Sequence, residues 1–371
     1  MTLEQRSLPD PLLGSDGRKV TTEEQWRSVR RPDILRLFRD YVYGREPVGR
    51  PEHIGFHVEK EDGFMEGAAI RKRVEIRFEG PGGAGAFRLL LFLPAKAAKP
   101  VPVFLLINNR GRAVADAERA SSSPFWPAEL IVSRGYAAAL FHTEELDPDR
   151  DDGFADGVHG LFDPVEKPRS PHAWGTIAAW AWGACRAMDY LETDPDIDPR
   201  RVAVVGHSRG GKTALWAGAI DPRFAMVVSN NSGCTGAALS RGKRGETIRD
   251  INARFPHWFC ETYKSFDGRE NELPVDQHML LSLIAPRALY VSSATEDLWA
   301  DPESEFLSLI AAEPVYRLFG SEGLGTASLP PADTPVFGSG VGYHIRTGKH
   351  DMGLSDWRHF IDFADRAMRA Q

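Results

Sequence analysis

The stretch Val202-Ala203-Val204-Val205-Gly206-His207-Ser208-Arg209-Gly210-Gly211-Lys212 limits the fold of this chain more than any other. A short apolar strand runs straight into Gly-x-Ser-x-Gly and then into a helix from about Arg209. So tight a strand-to-helix turn demands small residues two before and two after the serine, here Gly206 and Gly210, and it lifts the hydroxyl above the sheet. The spacing makes Ser208 a candidate nucleophile. The N–H of Arg209, at a helix N-terminus, is a candidate donor to an oxyanion.

The rest of the chain repeats the same units. A hydroxyl cap followed by acids, Thr21-Thr22-Glu23-Glu24, predicts a helix running to about Tyr43 and stopped by Gly44. His53–Glu59, Ile70–Phe78 and Phe87–Leu93 alternate or are β-rich, with glycine-rich turns between them, and predict leading antiparallel strands. From Val101 the texture changes to short apolar strands at 101–107, 136–141, 201–205, 225–229, 288–292 and 342–346. Helices are expected at 176–191, from 209, and at roughly 302–312 and 355–369. Buried strands alternating with helices imply a mostly parallel sheet covered on both faces. Together with the serine turn this predicts an α/β-hydrolase fold, a three-layer sandwich.

The length of 371 residues suits one large α/β domain over 21–371 behind an irregular arm at 1–20. A net charge of −7 argues against nucleic acid or an anionic membrane as partner, since both select basic surfaces. A monomer is expected. Cys185, Cys234 and Cys260 are too few and too odd in number for a disulfide framework and read as buried small hydrophobes. The N-terminus shows no basic region leading into an apolar run. A cytoplasmic location is therefore expected of the chain as it begins, or a periplasmic or secreted one if a leader has been removed.

A serine hydroxyl needs a base, and the base needs a third group to hold its tautomer. In this fold the order is serine, acid, histidine. His257, His278, His344, His350 and His359 follow Ser208. His350 stands in a glycine-containing loop between the last strand and the last helix, where the base is expected. His344 falls inside the strand pattern and His359 on the helix. The acid is expected after the strand at 288–292, where the loop offers Glu296, Asp297 and Asp301. Asp297 is the leading choice; Asp301, just before Pro302, also reads as a helix cap.

These residues resemble the glucuronoyl esterases, and their bacterial branch more than their fungal one. The shared segments are Gly206–Lys212, Ser232-Gly233-Cys234-Thr235-Gly236, Phe255-Pro256-His257-Trp258-Phe259, Leu273–His278, Ile284–Arg287, Asp297-x-Trp299 and Gly348-x-His350. Residues before about 170 resemble the family only loosely. The resemblance implies cleavage of the ester between 4-O-methyl-glucuronic acid on xylan and an alcohol of lignin, with no cofactor or metal. It implies that Arg209 supports the oxyanion with side chain and backbone, that Lys212 bonds sugar hydroxyls and that Trp299 lines the uronate pocket. Glu246 is a candidate second sugar contact. Fungal members carry a catalytic glutamate where this chain has Asn231, so the resemblance places the acid on the later loop. An acetyl-xylan or other carboxylesterase is the alternative within hydrolases, and a non-catalytic carbohydrate-binding relative the alternative outside them.

Overall fold

The computed structural model describes residues 2–164 and 168–368. Its ten strands are β1 (Ile54–Gly63), β2 (Ala69–Gly80), β3 (Gly83–Pro94), β4 (Val101–Asn108), β5 (Ala137–His142), β6 (Ile197–His207), β7 (Met226–Asn230), β8 (Ala288–Ala294), β9 (Val336–Phe337) and β10 (Val341–Arg346). They form one sheet in the order β1-β2-β3-β5-β4-β6-β7-β8-β10-β9. β1, β2 and β3 are antiparallel, as expected, and β3 joins β5 antiparallel. From β5 through β4, β6, β7 and β8 to β10 the pairing is parallel.

Alternation along the strands sorts the core into two layers. Val103, Leu105 and Ile107 of β4 join Val202 and Val204 of β6 in one cluster, whereas Phe104, Leu106, Ala203 and Val205 face the other. The first cluster is covered by α1 (Arg31–Tyr41), α2 (Thr176–Leu191), α3 (Arg209–Ile220) and α4 (Pro302–Arg317), and the second by Ala128–Ser133 and α5 (Leu354–Ala367). Burial on both faces explains why the parallel strands read as continuous apolar runs. All of α2 is buried, so it lacks a polar stripe.

Two boundaries differ from expectation. The first helix is not continuous. Thr22 caps its start, but Trp26–Arg30 forms a π turn before α1. Pro32 has no N–H to give, and the wider bonding of Arg31 N to the Trp26 carbonyl precedes it. α4 runs past 312 to Arg317 and carries Pro314 inside it. The expected end of the last helix at 369 lies outside the described residues. The N-terminal arm is irregular and packed: Arg6 donates to the Ser304 hydroxyl at 2.8 Å, His278 Nε2 bonds the Pro9 carbonyl at 2.8 Å, and Leu12 joins the core. All three cysteines are free and buried.

Candidate active site

The serine turn forms where β6 meets α3. Ser208 has φ 57° and ψ −124°, an unfavourable backbone for a residue with a Cβ. Its N–H donates to the Asn230 carbonyl at 2.9 Å. Gly206 is what the turn cannot do without: a Cβ there would lie 1.9 Å from the Gly210 carbonyl oxygen. At Gly210 a Cβ would meet Asn109 Oδ1 and the Ile107 carbonyl at 3.1 Å, so that position is tight but less strict.

His350 extends from the loop between β10 and α5. Its Nδ1–H donates to Asp297 Oδ2 at 2.6 Å, and its side chain is 42% exposed. Asp297, on the loop after β8, is nearly buried. Burial would raise its pKa, but the bond to His350 and one from Asn231 outweigh burial and hold the carboxyl below its ordinary range. Asn231 Nδ2 donates to the same Oδ2 at 3.1 Å. Asn231 is thus a donor to Asp297, the carboxylate expected on the later loop. Among the described residues nothing hydrogen-bonds His350 Nε2 or the Ser208 hydroxyl; such bonds are often long until substrate arrives. His207, the residue before Ser208, has its ring centroid 4.5 Å from that of His350, the two planes tilted by 50°. Burial, and then the proximity of His350, push the His207 pKa well below its ordinary value. His207 therefore stays neutral, its Nδ1–H donating to Asn230 Oδ1 at 2.6 Å.

The other two carboxylates of the loop are elsewhere. Glu296 is exposed. Asp301 caps α4, accepting from Ser304 N at 3.2 Å and from Arg244 N at 2.7 Å. Among the remaining histidines, His344 is buried in β10 and bonded to Asp356, and His359 is half-buried on α5.

The cations beside Ser208 both have partners. Arg209 is ion-paired with Asp149. Lys212 is 3% exposed and its Nζ donates to the Ser232 carbonyl. Burial lowers the Lys212 pKa, and the nearby Glu246 carboxylate works against that shift. Glu246, which reads as a surface residue if it has no role, is buried, and its N–H donates to the Trp299 carbonyl at 3.0 Å. The chain thus brings Lys212, Glu246 and Trp299 together. Trp299 is 48% exposed, which excludes core packing as the reason for a tryptophan there.

Two residues carry no signal in the sequence. Asp149 lies in an acid-rich loop after β5 that reads as solvated surface. Glu305 lies on α4, fully buried, accepting from Ser293 Oγ at 2.6 Å and Gly233 N at 2.8 Å. Among the described residues no group of three His, Cys, Asp or Glu side chains is placed to hold a metal. No helix among them is long and apolar enough to cross a membrane.

The family described as "glucuronyl esterase, fungi" matches residues 82–320. A carbohydrate esterase of an unknown prokaryotic organism is 44% identical over 98% of this chain and 90% of its own. A 4-O-methyl-glucuronoyl methylesterase of Schizophyllum commune is 30% identical over 85% of this chain and 74% of its own. The glucuronoyl esterase from Solibacter usitatus superposes with a TM-score of 0.91 at 42% identity, covering 98% of each chain. With the family match spanning the strand–serine–helix turn and the Asp297 loop, and a 44% identical relative covering 98% of the chain, the chain belongs to the glucuronoyl esterase family.

Proposed function

We propose that this protein hydrolyses esters of glucuronic acid through an acyl-enzyme, with Ser208 as nucleophile, His350 as base and Asp297 as its partner. The observation that carries the reading is the 2.6 Å bond from His350 Nδ1 to Asp297, beside a serine held at φ 57°. That bond fixes the tautomer and leaves Nε2 as the acceptor. Ser208 passes its proton to Nε2 as its oxygen attacks the carboxyl carbon. The N–H of Arg209 and its guanidinium stabilise the oxyanion. Collapse breaks the ester C–O bond, and the leaving alcohol takes the proton from His350. Water then repeats the sequence on the acyl-enzyme, releasing glucuronate and restoring the Ser208 hydroxyl.

The substrate is a glucuronate ester of the kind found on glucuronoxylan, with the uronate ring beside Trp299 and Glu246. Lys212 spends one donor on the Ser232 carbonyl and keeps two for ring hydroxyls. The test compares benzyl glucuronate with an acetylated xyloside. The reading expects kcat/KM to favour the glucuronate by about 10-fold or more, since a site built to bond hydroxyls and a ring discriminates strongly. It also expects Lys212→Ala to raise KM for the glucuronate alone. A preference for the acetate would overturn the substrate assignment and favour an acetyl-xylan esterase.

A further inference from the structure

Arg209 needs a direction as well as a charge, because oxyanion donors act by being in place before charge develops. Its guanidinium meets Asp149 Oδ2. The other oxygen, Oδ1, accepts from His257 Nε2 at 3.0 Å and from Trp258 Nε1 at 2.7 Å. Two ring donors on one oxygen fix the rotation of the carboxylate, and the second oxygen then fixes Arg209 Nη1. Aromatic rings set the tilt: the guanidinium lies 5.4 Å from the Trp258 ring and 5.9 Å from that of Phe255, and the two rings stack on each other at 3.7 Å. Among the described residues Arg209 Nε has no hydrogen-bond partner. Burial alone would raise the Asp149 pKa, but the bonds from His257 and Trp258 and the charge of Arg209 hold it below the ordinary carboxylate range, so the anchor stays charged.

We propose that Asp149 is a positioning residue for ester hydrolysis, aiming the Arg209 guanidinium at the carbonyl oxygen on which charge develops. The inference rests on the assignment of Arg209 to the oxyanion made above. Its physical content is preorganisation. A long arginine side chain loses considerable rotamer freedom when held in one place. The Asp149 clamp makes that loss during folding rather than on the way to the transition state. It acts on a charge that grows only in the transition state, so it belongs in kcat and not in KM.

A double-mutant cycle tests this, using benzyl glucuronate and the full chain, with folding followed by thermal melting. Asp149→Asn is expected to lower kcat about 10-fold with KM little changed, and Arg209→Ala about 100-fold. The double variant is expected to be no slower than Arg209→Ala, because Asp149 acts through the arginine. Trp258→Phe keeps the ring and removes one donor to Oδ1. It provides a second probe should Asp149→Asn fold poorly, with a smaller fall in kcat that vanishes in the Arg209→Ala background. Multiplying losses, or an unchanged kcat in both probes, would overturn the positioning role and leave the oxyanion assignment standing. An unchanged kcat in Arg209→Ala itself would remove that assignment and the inference with it.

Discussion

Two histidine–aspartate pairs of nearly equal geometry lie at the end of β10. His344 Nε2 bonds Asp356 at 2.8 Å, and His350 Nδ1 bonds Asp297 at 2.6 Å. The first pair is buried, 1% and 0% exposed at the side chains, and Tyr290 occupies the remaining nitrogen of His344 at 3.0 Å. The second has one partner buried and the other 42% exposed, and among the described residues nothing hydrogen-bonds its Nε2. An imidazole–carboxylate bond does not make a base; a free second nitrogen next to a nucleophile does. The buried pair also serves the open one. Asp356 is ion-paired with Arg346 Nε at 3.2 Å, and Arg346 donates to the carbonyls of Thr347, Lys349 and Asp351, lacing the loop that carries His350.

The largest expected effects separate the pairs by kind. His350→Ala is expected to lower kcat by about 10⁵-fold or more with the fold intact. His344→Leu is expected to leave Asp356 without its imidazole, costing stability by about 3 kcal/mol, while the folded fraction keeps most of its rate. Turnover and thermal melting of both variants check this. Similar losses of rate from the two would erase the distinction. Next, Asp297→Asn is expected to cost about 10⁴-fold in kcat, because an amide cannot stabilise the imidazolium. Glu296→Gln is expected to do almost nothing, and Asp301→Asn to loosen the α4 cap by about 1 kcal/mol. A crippled Asp301→Asn enzyme would move the acid to the wrong end of the loop.

The smallest effect concerns Glu305, buried close enough to Asp297 to feel its charge. Burial pushes its carboxyl up to about 7, with the bonds from Ser293 and Gly233 pulling the other way and Asp297 adding to the rise. Its folded pKa lies above its unfolded one, so the native state holds a proton that the unfolded chain releases. The Glu305 contribution is then present below the ordinary glutamate range, about 4.3, and is lost as pH rises toward 7. Melting temperature measured across that window should fall less steeply in Glu305→Gln than in the parent. Parallel curves would show that Glu305 ionises normally.

Much of this was legible in the sequence, for local reasons. The serine turn is written in consecutive residues, and Gly206 is demanded by contacts within the turn itself. The parallel strands stand out because burial on both faces leaves no polar alternation. His350 and Asp297 are found by fold order, as each follows a strand that the pattern reveals. The missing parts depend on contacts across the chain. Asp149 meets Arg209, His257 and Trp258 only once the loop after β5, the start of α3 and the segment at 257–258 converge in the fold, and its acidic neighbours disguise it. The burial of Lys212 and Glu246 follows from loops that carry no periodicity. The end of α4 was not legible either, since the helix runs past the expected 312 to Arg317 with Pro314 inside it.

The central claim, acyl transfer through Ser208 onto water, is tested most directly by trapping the intermediate. Mixing the Asp297→Asn variant with benzyl glucuronate, quenching in acid and sequencing peptides by mass spectrometry should find a glucuronoyl group on the Ser208 peptide. Benzyl alcohol should be released in equal amount, and neither product should form when Ser208→Ala is used. A glucuronoyl group on another residue, or undiminished benzyl alcohol release by Ser208→Ala, would contradict it.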